Sequence, residues 1–285
     1  MFDGFTREAI KTGAVTINTV YGGKGPPILL LHGFPQTHVM WHKVAPALVR
    51  HFTVVATDLR GYGDSDKPPG GGDHAAYSKR VMAQDQVDVM ARLGFERFAV
   101  VGHDRGGRVA HRLALDHPDR VAKLVVVDIA PTLKVYEAMD ARLAQGYWHW
   151  FFLALPPGIP ETIIGKSADY FMTQFFRLAP AGTFTPAAQA EYRRCFPAML
   201  PGGCEDFRAG GSIDLQHDRG DRGRNVTCPV LALWGMTGNV VPFFDALEVW
   251  RERAARVEGR ALPGGHSLAE ENPDDTLDAL RAFLA

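Results

Sequence analysis

Hydrophobic and polar positions alternate through residues 7–21, most clearly over Ala14-Val15-Thr16-Ile17-Asn18-Thr19-Val20, and this period of two predicts a hairpin at a sheet edge. Farther along the pattern changes. Ile28-Leu29-Leu30-Leu31, Thr53-Val54-Val55-Ala56, Phe98-Ala99-Val100-Val101, Leu124-Val125-Val126-Val127 and Val230-Leu231-Ala232-Leu233-Trp234 are short, nearly unbroken apolar runs, the signature of strands covered on both faces. Helices are expected between them, at Trp41 to Leu48, at Tyr77 to Leu93 (with Val81, Val87, Met90 and Leu93 at helical spacing) and from about Gly106 onward. Glu248 to Ala255 reads as another helix, Arg260-Ala261-Leu262 as a last strand and Pro273 to Leu284 as a closing helix. Strands alternating with helices predict a mostly parallel α/β sheet. The alternation breaks at about Pro131 and resumes at Val230. The interval is rich in Phe, Trp, Tyr and Pro and holds helical runs without a convincing strand. The chain thus divides into a first core segment (1–130), a helical cap (131–216) and a second core segment (217–285).

Composition narrows the class without naming an activity. The 285 residues are 46% hydrophobic and 22% charged with a formal net charge of −1, enough apolar material for one large core. So even a balance offers no electrostatic footprint for nucleic acid or a membrane surface. Three cysteines, Cys195, Cys204 and Cys228, are too few and too scattered for a disulfide framework or a metal cluster. No basic region followed by an apolar run opens the chain, and no run approaches the ~20 residues that would cross a bilayer. A cytoplasmic location is the expectation.

The chemistry concentrates in Gly102-His103-Asp104-Arg105-Gly106-Gly107-Arg108. An apolar strand, a glycine-crowded turn and a helix form the context of a nucleophile elbow, Gly-x-nucleophile-x-Gly, as found in the α/β-hydrolase fold. The glycines permit a strained turn and close packing of helix on strand. Asp104 occupies the nucleophile position in place of serine or cysteine. A carboxylate there attacks carbon directly and leaves an ester that water must open, which suits displacement at an alkyl carbon or epoxide opening. Arg105 and Arg108 share a face near the helix N-terminus, where two guanidiniums and a positive helix end suit a small anion such as a carboxylate. Solvation, or pairing with Asp104, is the simpler reading of both.

Opening the ester requires an activated water. Among eleven histidines, His266 stands in Pro263-Gly264-Gly265-His266-Ser267, after the last strand and before the closing helix, and is expected to be the general base. Asp128 ends the Val125-Val126-Val127 strand, where an ionised carboxylate needs a partner, so it is the expected acid orienting His266. The loop after Trp234 (Gly235-Met236-Thr237-Gly238-Asn239) has no acid to compete with it. The order Asp104, Asp128, His266 is the nucleophile–acid–histidine order of the fold. If that fold holds, the backbone N–H groups of Phe34 and Arg105 are the expected oxyanion donors.

With these residues in place, the chain resembles the fluoroacetate and haloacetate dehalogenases of the α/β-hydrolase superfamily over essentially its whole length. The resemblance rests on His32-Gly33-Phe34-Pro35-Gln36-Thr37, Asp58-Leu59-Arg60-Gly61-Tyr62-Gly63-Asp64-Ser65, the elbow, and Gly264-Gly265-His266. The first two segments are shared with epoxide hydrolases; Arg105 with Arg108 is more specific. The resemblance implies that Arg105 and Arg108 hold the carboxylate of a small haloacid substrate. It also implies that His149 and Trp150, in His149-Trp150 followed by Phe152-Leu153-Ala154, bind the departing halide. Read alone, Trp148 to Leu155 would be cap core. The family's third halide-site residue is a tyrosine, whereas Cys204-Glu205-Asp206-Phe207-Arg208-Ala209-Gly210 carries Phe207 there. A phenyl ring donates no hydrogen bond, so chloroacetate and bromoacetate are expected to react more readily than fluoroacetate. No metal or organic cofactor is called for. Members of the family are often homodimers; no interface is legible in this chain.

Two other readings compete. An epoxide hydrolase would use the same nucleophile with two cap tyrosines, for which Tyr136, Tyr147, Tyr170 and Tyr192 are available. A non-catalytic ligand-binding protein of the same fold would more typically show a broken triad.

Overall fold

The computed structural model describes residues 1–285. The alternating segment forms the expected edge hairpin, β1 (Thr6–Lys11) and β2 (Thr16–Gly22), paired antiparallel. The apolar runs become β3 (Pro27–Leu31), β4 (Thr53–Thr57), β5 (Phe98–His103), β6 (Val121–Val127), β7 (Val230–Gly235) and β8 (Val257–Leu262). All eight join one sheet in the order β1-β2-β4-β3-β5-β6-β7-β8; β2 pairs antiparallel with β4, and the remaining contacts are parallel. The central strand β5 is buried at every residue, as a strand covered on both faces must be, whereas β1 is exposed at all but Ile10.

The helices are α1 (Ala45–Leu48), α2 (Lys79–Arg92), α3 (Asp104–Asp116), α4 (Thr132–Glu137), α5 (Ala141–Gly146), α6 (Trp148–Leu153), α7 (Ile159–Gly165), α8 (Ala168–Arg177), α9 (Pro186–Gly210), α10 (Ile213–Gly220), α11 (Ala246–Arg251), α12 (Leu268–Glu271) and α13 (Pro273–Leu284). The stretch between β6 and β7 holds α4 to α10 and no strand, and its last helix runs on to Gly220. Three local expectations need correction. The helix after the elbow opens at Asp104, two residues before Gly106, with Asp104 itself still in the left-handed conformation of the turn. The segment expected as one helix from Trp41 is a 3₁₀ turn over His38–Trp41 followed by the single turn of α1. The helix expected at Glu248 to Ala255 is α11, which starts at Ala246, capped by Asp245, and ends at Arg251.

Parallel pairing brings the carboxyl ends of β3, β5, β6 and β8 to one rim of the sheet, where ligands of open α/β sheets bind. His32-Gly33-Phe34 follows β3, Asp104 follows β5, Asp128 follows β6 and His266 lies four residues beyond β8. Backbone close approach sets this rim. A Cβ at Gly102 would lie 2.4 Å from the Gly106 carbonyl oxygen, and one at Gly33 would lie 2.5 Å from Asp104 Cβ, so both positions exclude any side chain.

Candidate active site

Asp104 and Asp128 both sit in the left-handed region, with φ of +48° and +49°. That conformation is strained for residues with a Cβ, least so for Asp and Asn, and recurs where a sharp turn must aim a side chain. His266 Nδ1 lies 2.6 Å from Asp128 Oδ2, and His266 Nε2 lies 3.9 Å from Asp104 Oδ2. The other Asp104 oxygen accepts the Phe34 backbone N–H at 2.9 Å. The backbone N–H of Arg105 opens α3 immediately after Asp104. The structure therefore brings together Asp104, Asp128, His266 and the Phe34 amide.

The acid of this set is held by the loop that lacks one. Gly235 N donates to Asp128 Oδ1 at 3.2 Å and Asn239 N to Asp128 Oδ2 at 2.9 Å. With the imidazole, these two amides give the buried carboxylate three hydrogen-bond partners. Burial pushes the imidazole of His266 toward its neutral form, but the hydrogen bond and charge of Asp128, helped by Asp104, raise its pKa above the usual value. At Asp104, burial would raise the carboxyl, yet the positive fields of His266, His103, Arg105 and Arg108 win and hold it at about 2. Asp104 is ionised at neutral pH, as a nucleophile must be.

Arg105 and Arg108 are buried behind this centre, and neither is solvated or paired with Asp104 by hydrogen bonds. Arg105 donates from Nε and Nη2 to the two carboxylate oxygens of Asp206, at 3.0 and 2.6 Å, and from Nη2 to the Asp206 carbonyl at 2.7 Å. Asp206 also accepts the Tyr62 hydroxyl at 2.6 Å and the buried ammonium of Lys79. Arg108 Nη1 donates to the Ala130 carbonyl at 3.0 Å and to Thr132 Oγ1 at 2.9 Å, while its Nε is buried with no partner. Desolvation, with Arg105 beside it, pulls the Arg108 guanidinium down to about 10. A buried cation with an orphan donor and a like charge next to it is a place where an anion would be stabilised.

The aromatic residues singled out in the sequence gather against this pair. The Arg105 guanidinium stacks 4.3 Å from the Phe207 ring and Arg108 lies 4.4 Å from the Trp150 ring, both within cation–π range. Ring centroids of His149 and Phe207 are 6.1 Å apart, those of Trp150 and Phe207 6.3 Å, and those of Phe34 and Phe207 5.4 Å. Burial lowers the His149 imidazole to about 4, so it is neutral and keeps one N–H to donate. A cavity of about 480 Å³ is lined by Asp104, His266, His149, Phe207 and Phe34; Trp150 and the two arginines lie outside its lining. Of Tyr136, Tyr147, Tyr170 and Tyr192, only Tyr170 lines that cavity. Tyr147 donates to the Asn239 carbonyl and Tyr192 to Glu270.

Sequence reasoning missed two supporting acids. Asp206 stands next to Phe207, so the segment was in view, but its 101-residue separation from Arg105 hides the pairing. Glu271 accepts the N–H groups on either side of His266, from Gly265 at 2.7 Å and Ser267 at 2.8 Å, and so clasps the histidine loop; the acidic pair Glu270-Glu271 just beyond His266 was its only signal.

Comparison with known proteins places this geometry. The chain matches the alpha/beta hydrolase fold family over residues 26–273. It is 50% identical over 290 residues to a fluoroacetate dehalogenase of Burkholderia sp, with 100% of this chain and 95% of that protein covered. It is 34% identical over 278 residues to a soluble epoxide hydrolase of Corynebacterium sp. (strain C12), covering 93% and 92%. A crystal structure from Nostoc sp PCC 7120 superposes with a TM-score of 0.98 at 54% identity, covering 100% of this chain and 99% of that one. The chain belongs to the α/β-hydrolase superfamily and, within it, to the fluoroacetate and haloacetate dehalogenase family. Fold and kinship make it a hydrolase. No helix is long and apolar enough to cross a membrane.

Proposed function

We propose that the chain hydrolyses the carbon–halogen bond of small 2-haloacids through an ester on Asp104, with residues 131–216 acting as a cap over the site. The observation that carries this reading is the buried Arg105–Arg108 pair, with the orphan Arg108 Nε, directly behind an ionised aspartate nucleophile. That pair suits the substrate carboxylate. Asp104 Oδ2 displaces the halogen from the adjacent carbon, and the departing halide takes hydrogen bonds from the N–H groups of His149 and Trp150. His266 Nε2 then draws a proton from water, which attacks the ester carbonyl carbon. The negative charge that develops on Oδ1 is met by the Phe34 amide already bound there, with the Arg105 amide as second donor. Collapse releases the hydroxy acid, restores the Asp104 carboxylate and leaves the proton on His266 to be lost to solvent. Haloacid and water thus give hydroxy acid, halide and a proton, with no metal or organic cofactor entering any step.

Phe207 supplies no hydroxyl to the halide, so chloroacetate and bromoacetate should turn over faster than fluoroacetate. Epoxide opening is disfavoured because it needs two acidic hydroxyls at the nucleophile, whereas Tyr147 and Tyr192 donate theirs to the Asn239 carbonyl and to Glu270. Halide release from fluoro-, chloro- and bromoacetate, with Asp104→Asn as control, tests the reading. Release that depends on Asp104 supports it; release from none of the three, with turnover of an epoxide, overturns it.

A further inference from the structure

The cavity at Asp104 is far larger than a haloacetate. Five non-hydrogen atoms fill roughly 100 Å³, judged against the ~30 Å³ that one water takes up in the liquid, whereas the cavity measures about 480 Å³. The surplus has a consistent chemistry. Beyond the reacting groups its walls are Trp148, Phe152, Ile163, Ile164, Phe171 and Phe175. The polar side chains there are neutral: Ser167, whose hydroxyl already donates to the Ile163 carbonyl at 3.1 Å, Tyr170, Gln174 and Asn239. Asp104 and the histidines His149 and His266 are the only ionisable acids and bases of the lining apart from the Tyr170 phenol, so a second charge on a ligand would find no partner. Four lining residues are large and exposed to solvent: Trp148 at 55%, Ile163 at 53%, Tyr170 at 66% and Leu178 at 84%. An exposed apolar rim continuous with a catalytic cavity marks a surface that a ligand covers.

We infer that this vestibule is a substrate subsite for one uncharged alkyl or aryl substituent, and that the substrates it suits are 2-halocarboxylates bearing such a group on the halogenated carbon. The inference rests on the dehalogenase reading for its chemistry, which is unchanged: Asp104 displaces the halide and water delivers the 2-hydroxy acid, halide and a proton. The substituent lies along α6, α7 and α8, whose side chains furnish most of the apolar wall.

The test separates the subsite from the chemistry. Binding of acetate, butanoate, hexanoate and phenylacetate to Asp104→Asn is measured by calorimetry, and halide release from chloroacetate and 2-chlorohexanoate is measured on the unaltered chain. Burial of each added methylene should tighten binding about fourfold until the wall is filled, and phenylacetate should bind at least tenfold tighter than acetate. Ile163→Asp, at an exposed rim position where folding is not at stake, should shrink the ratio between hexanoate and acetate. Equal affinity across the series, or tightest binding of acetate, overturns the subsite. Affinity that rises with chain length while no haloacid releases halide upholds the subsite and overturns the dehalogenase reading instead.

Discussion

Asp206 grips Arg105 through both carboxylate oxygens and its own carbonyl, and the next residue, Phe207, stacks on the same guanidinium. One turn of α9 thus fixes both the position of a buried cation and the aromatic surface it faces. Asp206 is fully buried among Arg105, Lys79 and Tyr62, and those cations hold its carboxyl well below the usual carboxylate range against the upward push of burial. Asp206→Asn keeps the shape and removes the charge that Lys79 and Arg105 share. Breaking one side of a buried ion pair should lower stability by about 3–5 kcal/mol, read from chemical denaturation. A loss near zero would mean that Asp214, 3.6 Å from Lys79 Nζ, suffices as the counter-ion.

Separating the two half-reactions gives the most direct view of the nucleophile. His266→Gln removes the proposed base while leaving Asp104 and its Phe34 contact in place. Mixed with chloroacetate, this variant should release one equivalent of chloride per chain and then stop, with intact-protein mass increased by the bound acid on the peptide that contains Asp104. Sustained turnover by the variant would show that another group activates water.

Under the proposed mechanism, protonation of His266 sets the acidic limb of activity. Its pKa is raised above 6.5 in the folded protein, so the imidazolium persists to higher pH and the neutral base appears only as pH climbs past that raised value. Where ester hydrolysis limits turnover, kcat should rise with pH with an apparent pKa above 6.5. Asp128→Asn, which removes the charge sustaining the shift, should move the limb toward acid while lowering the plateau. A limb that stays in place would point to a different titrating group.

Restoring the missing hydroxyl addresses halogen preference. Phe207 is packed among Phe34, His149 and Trp150, so Phe207→Tyr adds one donor with little change in shape. A transition-state donor is worth on the order of 10²–10³ in rate, and fluoride, the strongest acceptor, gains most. The ratio of fluoroacetate to chloroacetate turnover should therefore rise by at least tenfold in initial-rate assays. An unchanged ratio would remove Phe207 from the leaving-group site.

Glu270 predicts a pH dependence of stability. Burial pushes its carboxyl up to about 8, against the hydrogen bonds of Tyr192 and Gln36. Its folded pKa lies above the ordinary 4.5, so the uncharged form is favoured on folding. That contribution is complete below pH 4.5 and is lost as pH rises through about 8. Glu270→Gln cannot ionise, so its Tm relative to the parent chain should improve by a few degrees between pH 5 and pH 9 in thermal denaturation. A constant difference would mean that the carboxyl titrates normally.

The sheet and the site were legible to different degrees, for physical reasons. Buried parallel strands write themselves as apolar runs, and the residues that end those runs, Asp104 and Asp128, mark the carboxyl rim. Their order with His266 then follows from connectivity. Helix boundaries were less visible: Gly106 reads as a helix start because glycine punctuates, whereas it is needed because a Cβ there would lie 2.4 Å from the His32 carbonyl oxygen. The clasp of Asp206 on Arg105 and the grip of Glu271 on the histidine loop depend on contacts made in the folded state, and no local pattern encodes them. The breadth of the vestibule was hidden for the same reason, since aromatic residues on α6 to α8 read as core whether they face protein or open space.

The ionised state of Asp104 also bears on how the site empties. During the proposed cycle the nucleophile carries a charge when the acid enters, loses it while the ester persists, and regains it at the moment the product is freed. The arginine pair faces a single anion in the ester and two once the hydroxy acid is formed. The product carboxylate and Asp104 then repel each other, as the substrate carboxylate and Asp104 do on entry. Hydrolysis of the ester thus returns the site to the charge state in which the substrate entered, so charge alone holds the product no more tightly than the substrate.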